Sequence, residues 1–86
     1  MPEICRFYGI VIRMFYREHG VPHVHATYGG VTAVFSVDPI SVLRGRLPPR
    51  ARSFVVEWVG LHRAELLDNW ARAEKNQALI KIAPLE

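Results

Sequence analysis

The sequence predicts an α+β fold: an antiparallel meander of three or four strands, with one kinked helix or two consecutive helices packed on one face. Three observations predict it. Residues 23–28 and 31–37 alternate polar and apolar on either side of Gly29-Gly30, which is the period and punctuation of a β-hairpin. Residues 7–16, Phe-Tyr-Gly-Ile-Val-Ile-Arg-Met-Phe-Tyr, are β-branched and aromatic with no proline, as an inner strand requires. From Pro49 onward the apolar residues recur every three or four positions, as on a helix with one buried stripe.

Along the chain, residues 7–16 form the first expected strand, and Arg17-Glu-His-Gly-Val-Pro22 carries the glycine and proline of a loop. The hairpin that follows has a writable register. Tyr28 opposes Val31, Ala26 opposes Ala33 and Val24 opposes Phe35 on an apolar face, while His23, His25 and Thr27 face Ser36, Val34 and Thr32 on the other. Asp38-Pro39 ends the second arm, Ile40 to Leu43 can add a short strand, and Arg44-Gly45-Arg46 with Pro48-Pro49 closes the β portion. A helix then starts with Pro49 in its first turn and buries Ala51, Phe54, Val55, Trp58 and His62. Gly60 interrupts the pattern and predicts a kink or break there, because glycine costs about 1 kcal/mol relative to alanine inside a helix. The second helical segment is expected to bury Leu66, Leu67, Trp70 and Ala73 and to stop at Lys75-Asn76. Residues 78–82 are expected to return to the sheet as an edge strand bounded by Pro84.

Eighty-six residues, half of them hydrophobic and 22% charged, suit one globular domain spanning 1–86. A single cysteine, Cys5, excludes an intramolecular disulfide. The sequence shows no secretory signal and no apolar run long enough for a bilayer, so a cytoplasmic protein without membrane insertion is expected. The formal charge of +3 permits contact with nucleic acid or an acidic partner. That charge is concentrated through Arg52, where seven arginines stand against Glu3, Glu18 and Asp38. The absence of a glycine-rich nucleotide loop, a CxxC pair, HExxH and a Gly-x-Ser-x-Gly elbow excludes the enzyme classes those motifs mark.

The sharpest local feature is His23-Val-His25. Two residues apart on a strand, the imidazoles leave the same face about 7 Å apart, a span that one metal ion or one phosphate can bridge. Three readings stay open: polar residues on the open face of a half-buried sheet, an acid/base pair, or ligands of a divalent metal, with no other cofactor expected. A third metal ligand is sought in His19, or in His62 and Glu65 on the helix. Arg13 stands in an apolar strand, where a charge is costly unless it is paired or meets an anion. On a central strand it faces the histidines and can hold phosphate; on an edge it reaches water or pairs with Glu57 or Glu65. On the helix, His62, Glu65 and Asn69 make a polar row, suited to satisfying loop backbone or to an intrahelical pair, with catalysis the lesser alternative. Arg44, Arg46, Arg50 and Arg52 surround the proline-rich turn and can track a phosphate backbone, or form a solvated basic loop. Cys5 offers no placement that makes it a nucleophile.

Met1-Pro-Glu-Ile, Arg6-Phe-Tyr-Gly-Ile-Val-Ile-Arg-Met, Pro22-His-Val-His-Ala with Tyr28-Gly-Gly, Glu57-Trp, Leu61-His-Arg-Ala-Glu-Leu-Leu-Asp-Asn-Trp70 and Ile82-x-Pro-Leu together resemble the bacterial family known as domain of unknown function 4160. The resemblance covers nearly the whole chain and implies a complete protein starting at Met1. It assigns no activity. Genes of that family tend to lie beside those of another small domain in an arrangement resembling a toxin-antitoxin pair, and Val24 fits its preference for an apolar residue between the histidines. A small residue such as Ser is common where Cys5 stands, which weakens any role for the thiol. The resemblance singles out His23, His25, Arg13, His62 and Glu65 as residues to test.

These observations together favour a toxin-antitoxin-like component that binds or cleaves RNA through the His-x-His site, with ribonuclease action as the enzyme activity to test. The alternatives are a non-enzymatic module that pairs with a neighbouring small protein or with itself, and a metal-binding domain.

Overall fold

The structure is a computed structural model that describes residues 2–86. Five strands form one antiparallel sheet in chain order: β1 (Glu3–Phe7), β2 (Ile10–Arg13), β3 (His23–Tyr28), β4 (Val31–Val37) and β5 (Ile40–Gly45). Helices α1 (Pro49–Leu61) and α2 (Arg63–Glu74) follow. The α+β class, the all-antiparallel meander and the consecutive helices agree with expectation; the strand count does not.

The extra strand comes from residues 7–16, which are not one strand. Tyr8 and Gly9 both have positive φ, 50° and 78°, and form a two-residue turn of the kind that matches strand twist, so Phe7 pairs with Ile10 and the chain before it becomes β1. Glycine adopts that backbone freely, whereas Tyr8 is an unusual residue for it, and this hides the hairpin in the sequence. The second hairpin has the expected register at every pair from His23–Ser36 to Tyr28–Val31. β5 is joined through a turn containing a cis Asp38–Pro39 peptide and extends two residues beyond the expected Leu43.

One core cluster runs from Ile4 to Ile82. Ile10 and Ile12 of β2, Val24 and Ala26 of β3, and Ala33 and Phe35 of β4 are completely buried, as are Val55 and Trp58 of α1 and Leu66 of α2. The Trp58 ring lies 5.6 Å from that of Phe7. Burying such side chains contributes roughly 1.5–3 kcal/mol each.

Three further expectations are corrected. Gly60 lies inside α1, and the break between the helices falls at His62, which takes φ −116° and ψ 25°. Leu67 is 37% exposed, while Asn69 takes the buried position at 1%. That exchange follows from the third correction. Residues 77–86 form no strand; α2 holds them through Asn69, whose amide donates to the Ile80 carbonyl and whose oxygen accepts from the Ile80 N–H, both at 2.9 Å. Trp58 Nε1–H donates to the Ala83 carbonyl at 2.8 Å, and a single bond from Ile82 N–H to the Ile4 carbonyl ties the segment to β1. The stop at Lys75-Asn76 agrees with expectation. Asn76 has φ 58°, and Asn76 N–H and Gln77 N–H bond back to Ala73 and Arg72, closing the helix in a Schellman motif.

Candidate functional site

The register of the sheet sets one row of side chains on the face opposite the helical core. Arg13 of β2 pairs with His25 of β3, His25 with Val34 of β4, and Val34 with Arg44 of β5. Directly opposed residues send their side chains to the same face, with Cβ atoms about 5 Å apart between neighbours. Arg13 is therefore on an interior strand and faces the histidines, as the central-strand alternative requires. A bulge between Val34 and Phe35 leaves Leu43 unpaired and brings Arg44 into the row. Gly45, with φ 74°, sustains that geometry, because a Cβ there runs into the Thr32 carbonyl oxygen.

This face is not open over the histidines. The chain between β2 and β3 folds across it, with Arg17 and Gly20 in positive-φ conformations at 60° and 93°. His23 is consequently buried at 7% and His25 half-buried. Phe15 lies edge-on to the His25 ring at 4.7 Å, and Trp70 of α2 lies 4.9 Å from the His23 ring, so neither imidazole is free to swing.

Glu18 joins them. Its Oε1 lies 2.6 Å from His25 Nε2 and 3.1 Å from His23 Nε2. Burial alone raises the Glu18 carboxyl, but the hydrogen bonds with His25 and His23 outweigh it and hold the group below its usual value. His23 Nδ1–H donates to the Val21 carbonyl at 2.8 Å, which fixes the tautomer of a neutral ring and turns a lone pair on Nε2 toward the carboxylate. The 3.1 Å contact is favourable when a proton is shared between the two atoms or a cation lies between them. Glu18, His23 and His25 together offer three ligand atoms within 4.8 Å of one another. Glu18 and His23 line a cleft of about 370 Å³ together with His19, Val34 and Arg44, and His25 lies behind them.

The other sequence candidates are distributed as follows. His19 is exposed on the cleft wall, and Glu18, its neighbour, is the carboxylate that contacts the pair. Sequence reasoning missed Glu18 because a loop has no periodicity; its adjacency to His19 within a nine-residue loop, Met14 to Pro22, was the available signal. His62 Nδ1 and Glu65 Oε1 bond to each other at 2.6 Å across the junction of the helices, with His62 against Trp58, and no contact joins them to His23 or His25 among the described residues. Arg13 makes no ion pair with Glu57 or Glu65, and its buried Nε has no hydrogen-bond partner among the described residues. The four arginines around the proline turn are all exposed and have different surroundings. Arg44 lines the histidine cleft, Arg50 lies 5.6 Å over the Phe54 ring in a separate hollow with Tyr8 and Tyr28, and Arg46 and Arg52 are exposed. Cys5 is buried and burial pushes its thiol up, so it offers no reactive thiolate.

No helix of the structure is long and apolar enough to cross a membrane among the described residues. No curated protein and no solved structure matches the sequence. The profile of a family described only as a domain of unknown function, DUF4160, matches residues 9–71, a span that holds the whole Arg13–Glu18–His23–His25–Arg44 arrangement and both helices up to Ala71. The chain belongs to that family, the domain of unknown function 4160.

Proposed function

We propose that the cleft beside β3 binds and cleaves a phosphodiester of RNA, with Glu18, His23 and His25 handling the proton transfers and Arg13 and Arg44 holding the phosphate. One observation carries the reading: the Arg13–His25–Val34–Arg44 row brings two arginines onto the face of an imidazole that is already bonded to a carboxylate, Arg13 from the neighbouring strand and Arg44 from two strands away. Arg13 Nε has no hydrogen-bond partner among the described residues, and a phosphate is an anion suited to pairing with a guanidinium. Imidazole is the side chain suited to taking a proton from a ribose hydroxyl and returning one to the leaving oxygen near neutral pH. The formal charge of +3 supports approach to a polyanion.

Cleavage of a mixed-sequence single-stranded RNA tests this. Purified protein is expected to cut it, and the double variant His23→Ala/His25→Ala to lose at least about 100-fold in rate, the scale of general acid/base catalysis. Arg13→Ala is expected to weaken RNA binding and to reduce its salt dependence. Equal cleavage by the wild type and the double histidine variant refutes the mechanism.

A second reading is favoured by β5. It is an edge strand, and Val42 and Leu43 are 42% and 44% exposed on it. A free edge of this kind pairs readily with an added strand from a small cognate protein or a second copy of this chain. Sedimentation as a monomer, together with failure to co-purify with the product of the neighbouring gene, contradicts that reading.

A further inference from the structure

We infer that Glu18, His23 and His25 bind one divalent transition-metal ion, with zinc the best match to their ligand chemistry. Two imidazole nitrogens and one carboxylate oxygen are a complete protein ligand set for a catalytic zinc, which keeps its remaining position for water or substrate. The three atoms lie within 4.8 Å of one another without rearrangement of the backbone. Bonds of about 2.0–2.1 Å at tetrahedral angles place ligand atoms roughly 3.3 Å apart. His23 Nε2 and Glu18 Oε1, at 3.1 Å, already have nearly that spacing. The 2.6 Å separation of His25 Nε2 and Glu18 Oε1 must open slightly. Glu18 can give this, since it sits on a loop with its side chain 28% exposed.

The surroundings favour an ion over a plain ion pair. His23 donates Nδ1–H to the Val21 carbonyl, the outer bond by which metal-ligating histidines are oriented and made more basic. Trp70 and Phe15 hold the two rings in place. A cation between His23 Nε2 and Glu18 Oε1 makes their 3.1 Å contact an attraction, as a shared proton does. Arg13 and Arg44 oppose a bare cation, but they favour one that carries hydroxide or an anionic ligand on its cleft side. A zinc-bound water in a site of this type ionises near about pH 7, beside the phosphate those arginines hold. That consequence rests on the phosphodiester reading, with the proton transfers passing from the ligated imidazoles to the zinc-bound water; the binding itself does not.

The test is a titration of chelator-stripped full-length protein with Zn²⁺ by calorimetry, and with Co²⁺ followed by visible absorption. One equivalent is expected, with an intense four- or five-coordinate cobalt spectrum and a rise in melting temperature on loading. Glu18→Ala and His25→Ala are expected to lose more than about 100-fold in affinity, beyond the roughly 10–100-fold effect of losing an outer partner. Glu18→Gln retains side-chain volume and keeps the test valid if the alanine variants fold poorly. No saturable zinc binding by the wild type, or wild-type affinity in folded Glu18→Gln, overturns the inference. Protein that takes up one zinc and cleaves no RNA upholds it and refutes the phosphodiester reading. Protein that binds no zinc yet cleaves RNA after stripping does the reverse.

Discussion

Glu18 shows how much one loop residue decides. Its side chain is 28% exposed and meets both histidines through one oxygen. Because those hydrogen bonds outweigh burial, the folded carboxyl releases its proton at a lower pH than the unfolded one, whose value is about 4.3. The sign of the pH effect follows. Glu18 contributes stability that is complete above the unfolded value and is lost as the pH falls through the lower, folded one. Thermal melts from about pH 6 down to about pH 3 are expected to show a steeper acid decline for the wild type than for Glu18→Gln, and superimposable curves contradict the role given to the carboxylate. At this scale the sequence is legible where side chains follow strand period: His23, His25 and Arg13 share a face because two-residue alternation and antiparallel pairing require it. Glu18, Phe15 and the Val21 carbonyl are not legible, since a loop's path over a sheet depends on tertiary contacts rather than on period.

Among the elements, the Gly29-Gly30 hairpin is readable to the residue, because both turn positions have positive φ, 55° and 84°, and both are glycine. The first hairpin has the same backbone with tyrosine at its leading position, so its strands read as one. Gly60 misleads in the other direction. It carries helical backbone inside α1, and a Cβ added there meets Ile40 Cδ1 at 3.7 Å, an ordinary contact. Gly60→Ala is therefore expected to stabilise the protein by about 0.5–1 kcal/mol, raising the melting temperature by several degrees. A fall in melting temperature contradicts the placement of Gly60 in an unbroken helix. Gly45→Ala is expected to act oppositely, costing about 2 kcal/mol or more through positive φ and collision with Thr32. Its effect should extend to RNA cleavage, because Gly45 sets the bulged pairing that brings Arg44 to the cleft.

Across the whole molecule, the C-terminal segment holds the architecture together in a way that periodicity does not announce. Asn69 belongs by its spacing to a polar row suited to satisfying loop backbone, and it does so at Ile80; but the segment it holds adds no strand to the sheet. The segment also bonds to β1 through Ile82 N–H and the Ile4 carbonyl, so that edge of the sheet is partly covered, whereas among the described residues β5 pairs with β4 alone. Asn69→Ala is expected to lower stability by about 1–3 kcal/mol and to expose residues 77–86 to limited proteolysis, because it removes both partners of the Ile80 backbone. Unchanged protease resistance contradicts that anchoring. The charge balance, legible from composition, gains meaning only with the register, which selects Arg13 and Arg44 from a larger set of arginines and sets them beside the histidines. Whether that arrangement cleaves RNA is decided by the rate at which His25→Ala cuts a single-stranded substrate relative to the wild type, both checked for native folding. Cleavage by the wild type with a loss of about 100-fold or more in the variant is the expected result; an inactive wild type, or a variant as active as the wild type, contradicts it.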